Sequence, residues 1–126
     1  MSATDLTTQD RFLDGRLTLR QLSEGPRTAI DAFFLAAAIP AVEGKGEYVL
    51  DAGTGNGAAG LALCARVADV RVTGIEIQQS LLDLAAENAR LNQMDDRFSA
   101  VKLDILQGVQ AIEAVGLKRE SFVHVA

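Results

Sequence analysis

Leu50-Asp51-Ala52-Gly53-Thr54-Gly55-Asn56-Gly57 is the stretch that decides the fold. It joins a short apolar run, Tyr48-Val49-Leu50, to a turn with glycine at every second position. Glycine accepts positive φ, and without a Cβ it lets another group approach the main chain closely. Residues 58–68 then suit a helix. The first N–H groups of a helix have no internal partner and carry a partial positive charge. A strand, a glycine elbow and a helix start thus follow one another, which is an arrangement that holds a carboxylate or a phosphate. A tight strand-to-helix link with no ligand is the bland alternative.

Working outward, the rhythm continues as strand, helix, strand, helix. Residues 70–75 suit a buried strand. Residues 80–92 suit an amphipathic helix with Leu81, Leu84, Ala85, Asn88 and Leu91 on one face, and Ser80 with Asp83 resembles a capping box at its start. Residues 98–103 suit a third strand, 107–115 a helix and 122–125 a last strand. Such alternation predicts an α/β fold: a partial parallel sheet of about four strands with helices on both faces. In these sheets ligands sit beyond the carboxyl ends of the strands, where strand order reverses.

Upstream, residues 1–10 are polar and read as weakly held. Asp14-Gly15 between short apolar runs signals a β-hairpin with a type I′ turn. A helix fits 29–39, apolar nearly all round and stopped by Pro40. The chain divides into an N-terminal arm, hairpin and entry helix over 1–45 and a ligand-binding half domain over 46–126.

Composition narrows the function. The chain has 126 residues, 48% hydrophobic and 23% charged, which suits one soluble domain. The longest mostly apolar run, 29–42, is interrupted by Asp31 and Pro40 and is too short to cross a bilayer. The polar, acidic N-terminus is no secretory signal, and a single cysteine, Cys64, allows no internal disulfide, so a cytoplasmic location is expected. A net charge of -5 argues against a dedicated nucleic-acid-binding domain, although Arg11, Arg16, Arg20 and Arg27 form a local basic excess. Cys64 and His124 read as structural, and Asn88 as a cap for backbone rather than a ligand contact. No metal site is indicated.

The three strand ends read Asp51 through Gly57, then Glu76-Ile77, then Asp104-Ile105, so each strand delivers a carboxylate to one rim. Gly55, Gly57 and Gly60 also satisfy G-x-G-x-x-G, with Glu76 where a dinucleotide fold places its ribose-binding acid, so a nicotinamide-dependent oxidoreductase is the natural rival. Charge separates the two readings. Two like charges about 4 Å apart repel by roughly 4 kcal/mol at an effective dielectric near 20. Asp51 would oppose a pyrophosphate in this way, whereas a positively charged nucleoside suits an acidic rim. Glu76 would then accept from both ribose hydroxyls and Asp104 from the adenine amino group, with Ile77 and Ile105 against the base. A solvated acid at Glu76 and a turn residue at Asp104 are the plain alternatives.

At this point the sequence resembles the class I S-adenosylmethionine-dependent methyltransferases, which have a Rossmann-like fold. The segment 50–57 resembles their first motif, Glu76 after Val72-Thr73-Gly74-Ile75 their second, and Lys102-Leu103-Asp104-Ile105 their third. The resemblance implies S-adenosyl-L-methionine as cofactor, held by Asp51, Gly53, Thr54, Gly55, Gly57, Glu76, Ile77, Asp104 and Ile105. A narrower likeness runs through Leu13-Asp14-Gly15-Arg16-Leu17, Gly25-Pro26-Arg27, Asp31-Ala32-Phe33-Phe34-Leu35-Ala36-Ala37 and Asn88-Ala89-Arg90-Leu91-Asn92. These segments are similar to the bacterial tRNA methyltransferases that modify the exocyclic amine of adenine. That likeness implies an entry segment covering the cofactor, with Arg27 and Asp31 near it, and tRNA as partner. An Arg27–Asp31 pair one helical turn apart is the simpler alternative.

In that family an Asn-Pro-Pro-aromatic loop follows the fourth strand and grips the target amine. Here 122–126 resembles that strand and neither Pro26 nor Pro40 belongs to such a loop. The expectation is therefore a cofactor-binding half without catalytic residues, inactive by itself and prone to self-association through its open sheet edge. A methyltransferase acting on a protein or small molecule and a non-catalytic scaffold remain as other readings.

Overall fold

The computed structural model describes residues 7–22, 30–41, 43–104 and 124–125. Strands β1 (Thr7–Phe12) and β2 (Leu17–Leu22) form an antiparallel hairpin, followed by helix α1 (Ile30–Ala38). Then come β3 (Tyr48–Ala52), α2 (Ala58–Arg66), β4 (Arg71–Glu76), α3 (Gln79–Leu91), β5 (Phe98–Lys102) and β6 (His124–Val125). The last four strands make one parallel sheet in the order β5-β4-β3-β6. Chain order reverses beside β3, so the glycine elbow after β3 sits at the switch point where such sheets bind ligands.

The core lies between the sheet, the two crossover helices and the hairpin. Val49, Val72 and Phe98 come from the sheet, Leu61, Leu63 and Val67 from α2 and its end, and Ala85 and Ala89 from α3. Leu17 and Leu19 of β2 are fully buried in the same cluster. The alternation of β2 thus points its leucines into the core, each contributing about 1.5–3 kcal/mol by burial. Phe12 and Phe33 meet with ring centroids 5.1 Å apart, joining the hairpin to α1.

Helix α2 lies very close to the sheet because residue 60 is glycine. A Cβ there would stand 2.7 Å from Phe98 Cε2 and 3.0 Å from Val72 Cγ1. Two arginines hold helix ends. Arg66 donates to the carbonyls of Ala36 and Ile39 at the end of α1. Arg97 donates to Cys64 and Val67 at the end of α2 and to Val70 just before β4. Each satisfies terminal carbonyls that have no helical partner.

Several expectations need correction. Thr7–Asp10 belong to β1 rather than to a weakly held arm, because backbone pairing to β2 orders even a polar segment. The expected Asp14-Gly15 turn is present, with both residues left-handed and the Arg16 N–H donating to the Leu13 carbonyl at 3.2 Å, but a second turn overlaps it: Leu13 is left-handed too and the Gly15 N–H donates to the Phe12 carbonyl at 3.1 Å. Helix α3 starts at Gln79 with no side-chain cap, and Asp83 accepts from Gln79 Nε2, so Ser80 forms no capping box. Its buried face is Leu84, Ala85, Asn88 and Ala89, while Leu91 is exposed. The expected helix over 107–115 lies outside the described residues.

Candidate functional site

Register brings the three carboxylate-bearing strand ends to one edge. Asp51 pairs with Gly74, Ala52 with Ile75 and Glu76 with Lys102, and Asp104 follows two residues after β5. Gly53, Ile75, Glu76, Ile77, Leu103 and Asp104 line one open, shallow cleft of about 90 Å³ at this edge, well below the roughly 300–1,000 Å³ common for closed ligand pockets. Ile77 is 53% exposed at its rim and offers an apolar surface there.

The elbow is shaped for approach from outside. Gly53, Gly55 and Gly57 have φ of 69°, 57° and 89°, values that favour glycine. A Cβ added at Gly53 or Gly55 would meet no protein atom within 4 Å. Packing therefore does not require glycine at these two positions; backbone conformation and open space above the main chain do. The chemistry of these groups fits a nucleoside with positive charge: open backbone, an apolar shelf at Ile77 and two carboxylates, Glu76 and Asp104, on the cleft.

Asp51 and Thr54 stand behind the elbow rather than in the cleft lining. Both are buried, and the Thr54 hydroxyl donates to Asp51 Oδ2 at 2.8 Å. Burial pushes the Asp51 carboxyl above its usual range, against the opposing pull of hydrogen bonds from Thr54 and the Gly60 backbone. The Thr54 N–H also donates to the Ile75 carbonyl at 2.8 Å, pinning the elbow to β4.

Glu76 is buried and already engaged. Its Oε1 accepts from the Gly55 N–H at 2.9 Å, and its Oε2 from Ile77 and Gln78, each at 3.0 Å. A carboxylate offers about four acceptor positions. Accepting from both ribose hydroxyls, as the sequence suggested, therefore requires it to release one of these three, and Gly55 is the one on the elbow.

Asp31 lies in α1, while Arg27 and Ile105 fall outside the described residues. Leu103 was missed by sequence reasoning, although its place at the end of β5 could have suggested it. Gly74 was missed as well. A glycine inside a buried strand often marks close backbone approach, and here Thr54 fills the space. Among the described residues no group of side chains could hold a metal ion, and no helix is long and apolar enough to cross a membrane.

Comparison with known proteins agrees with this architecture. A family model described as a methyltransferase domain matches residues 43–122, which include the elbow and all three strand ends. The chain belongs to the methyltransferase domain family.

The release factor glutamine methyltransferase of Agrobacterium fabrum (strain C58) is 37% identical over 92 residues, covering 71% of this chain and 32% of that protein. The ribosomal protein L11 methyltransferase of Carboxydothermus hydrogenoformans is 26% identical over 84 residues, covering 67% and 27%. This chain thus spans about a third or less of the curated relatives it matches. A predicted O-methyltransferase from Agrobacterium tumefaciens superposes with a TM-score of 0.64 at 29% identity, covering 75% of this chain and 46% of that one. A geranyl diphosphate methyltransferase solved with S-adenosylmethionine has a TM-score of 0.62 at 19% identity, covering 75% and 35%, a likeness of fold. The class I, Rossmann-like architecture expected from the sequence is the one found, and the family speaks against the nicotinamide rival.

Proposed function

We propose that this chain binds S-adenosylmethionine across the carboxyl ends of β3, β4 and β5 and serves methyl transfer to a planar, conjugated NH₂ group. The observation that carries this is the shared cleft of Gly53, Glu76, Ile77, Leu103 and Asp104 beside an elbow that is open where a Cβ would project. Bound there, the cofactor supplies a methyl group already activated by its sulfonium charge. The chain's own residues bind and orient. Glu76 accepts from ribose, Asp104 from the adenine amine, and Ile77 lies against the base, with Ile105 as its counterpart. The partial positive charge at the start of α2 favours the cofactor carboxylate. Asp51, through Thr54, shapes the elbow and places negative charge near the cations. Arg27 and Asp31 belong to the entry segment over the pocket. Since the donor is activated already, placement governs the rate.

For the acceptor, the entry segment and Asn88-Ala89-Arg90-Leu91-Asn92 favour the exocyclic amine of an adenine in tRNA, with the N-terminal arginines toward the RNA. A protein acceptor is the second reading, favoured by the names of the release factor and L11 relatives. A glutamine side chain ends in a carboxamide, which is also a planar conjugated NH₂. Calorimetry tests the first step: S-adenosylhomocysteine should bind and NAD should not. Transfer of labelled methyl by the whole protein to unmodified tRNA, against a release factor, tests the second. Transfer to protein alone removes the tRNA reading.

A further inference from the structure

The hairpin is joined to the glycine elbow through one side chain. Among the described residues no strand lies beyond β2, and the N–H and C=O groups of its Thr18 and Arg20 meet two asparagines of the α3 segment instead. Asn92 Oδ1 accepts from the Thr18 N–H at 2.9 Å, and its Nδ2 donates to the Thr18 carbonyl at 2.7 Å. Asn88 repeats the pattern one turn earlier, with 2.7 Å to the Arg20 N–H and 3.0 Å to its carbonyl. Each amide thus presents a donor and an acceptor as a neighbouring strand would. An Arg20–Glu87 ion pair of 2.8 Å lies beside them at the surface.

Asn88 does one thing that Asn92 does not. Its Nδ2 also donates, at 2.9 Å, to the Asn56 carbonyl, between Gly55 and Gly57 of the elbow. Asn88 is fully buried, so no water replaces these bonds. The Asn56 carbonyl sits in the turn closed by the Gly57 N–H on the Thr54 carbonyl, 2.9 Å.

We propose that Asn88 is a positioning residue that couples docking of the N-terminal hairpin to the shape of the cofactor elbow, so that the hairpin tunes cofactor affinity without touching cofactor. This rests on the cofactor reading given above. Coupling between two sites is reciprocal. A ligand on the elbow must therefore strengthen the hairpin's hold on Asn88.

The test compares Asn88→Ala with Asn92→Ala. Both lose a bidentate hold on β2, but only the first loses the elbow. We expect both to lower Tm, and only Asn88→Ala to weaken S-adenosylhomocysteine binding, tenfold or more, with Asn92→Ala within twofold. In the absence of ligand, Asn88→Ala should also speed hydrogen exchange of the Gly57 amide while Asn92→Ala leaves it unchanged. Should Asn88→Ala not fold, the unmodified chain still decides. Adding S-adenosylhomocysteine should slow exchange of the Arg20 amide, held by Asn88, more than that of the Thr18 amide, held by Asn92. Equal effects of the two variants, or equal slowing of the two amides, would overturn the coupling. Absence of ligand binding by the unmodified chain would remove the cofactor reading instead, and the ligand-free exchange of Gly57 would still judge the link from Asn88 to the elbow.

Discussion

Gly74 of β4 lies directly against Thr54 of the elbow: a Cβ at residue 74 would stand 2.7 Å from three atoms of the threonine side chain. Thr54 is buried and bonded to both Asp51 and the Ile75 backbone, so it cannot simply swing away. Gly74→Ala should therefore shift the elbow, lowering stability by about 1–3 kcal/mol as overpacked substitutions do. In a small domain each kcal/mol moves Tm by roughly 4–8 °C. Thermal melts check the size. Adding Thr54→Gly to Gly74→Ala should recover part of the loss if collision is the cause, and none of it if the strand itself is weakened.

Asp51 gives a pH dependence of known sign. Its folded pKa is raised by burial, so the unfolded chain gives up the proton more readily. The stability linked to this proton is fully present below the ordinary value of 3.8 and is lost as pH rises through the higher folded value. Asp51→Asn carries no such titration. Its Tm relative to the parent should rise between pH 4 and pH 7, while its affinity for a cationic cofactor falls. Paired melts at the two pH values decide; a Tm difference that does not change with pH contradicts the account.

Glu76 holds three backbone N–H groups and is assigned the ribose. Glu76→Gln turns one acceptor into a donor aimed at backbone donors. Charged hydrogen bonds are worth about 1.5–3 kcal/mol. Calorimetry with S-adenosylhomocysteine should show at least a tenfold loss of affinity, with a lowered Tm. Unchanged affinity would take Glu76 out of the pocket.

Cys64 is buried in α2, and burial raises its thiol pKa to about 11. Thiolate is the reactive form. The folded chain should resist alkylation by iodoacetamide at pH 8 and react only on unfolding, which mass spectrometry reads; rapid labelling of folded protein would show the core to be open.

Much of the architecture was legible because period and spacing are local. The alternation after residue 46, the glycine elbow and the gathering of three strand ends at one sheet edge read directly from the chain. What escaped depended on distant partners. Nothing near Asn88 or Asn92 announces that their amides replace a strand beside Thr18 and Arg20, 68 and 74 residues away. Asp51 reads as a rim acid from its place at a strand end, yet the Thr54 hydroxyl and Gly60 backbone hold it under the elbow. The Ser80–Asp83 pattern looked like a cap, but α3 starts at Gln79 with no side-chain cap and Asp83 accepts from Gln79 Nε2.

The most direct test is a titration of isotope-labelled chain with S-adenosylhomocysteine, followed by amide chemical shifts. Saturable changes should concentrate at Gly53, Gly55, Gly57, Glu76, Ile77 and Asp104, with little at Tyr48 or Arg71 on the opposite edge of the sheet. No saturable change, or changes gathered away from these three strand ends, would contradict a cofactor pocket built from them.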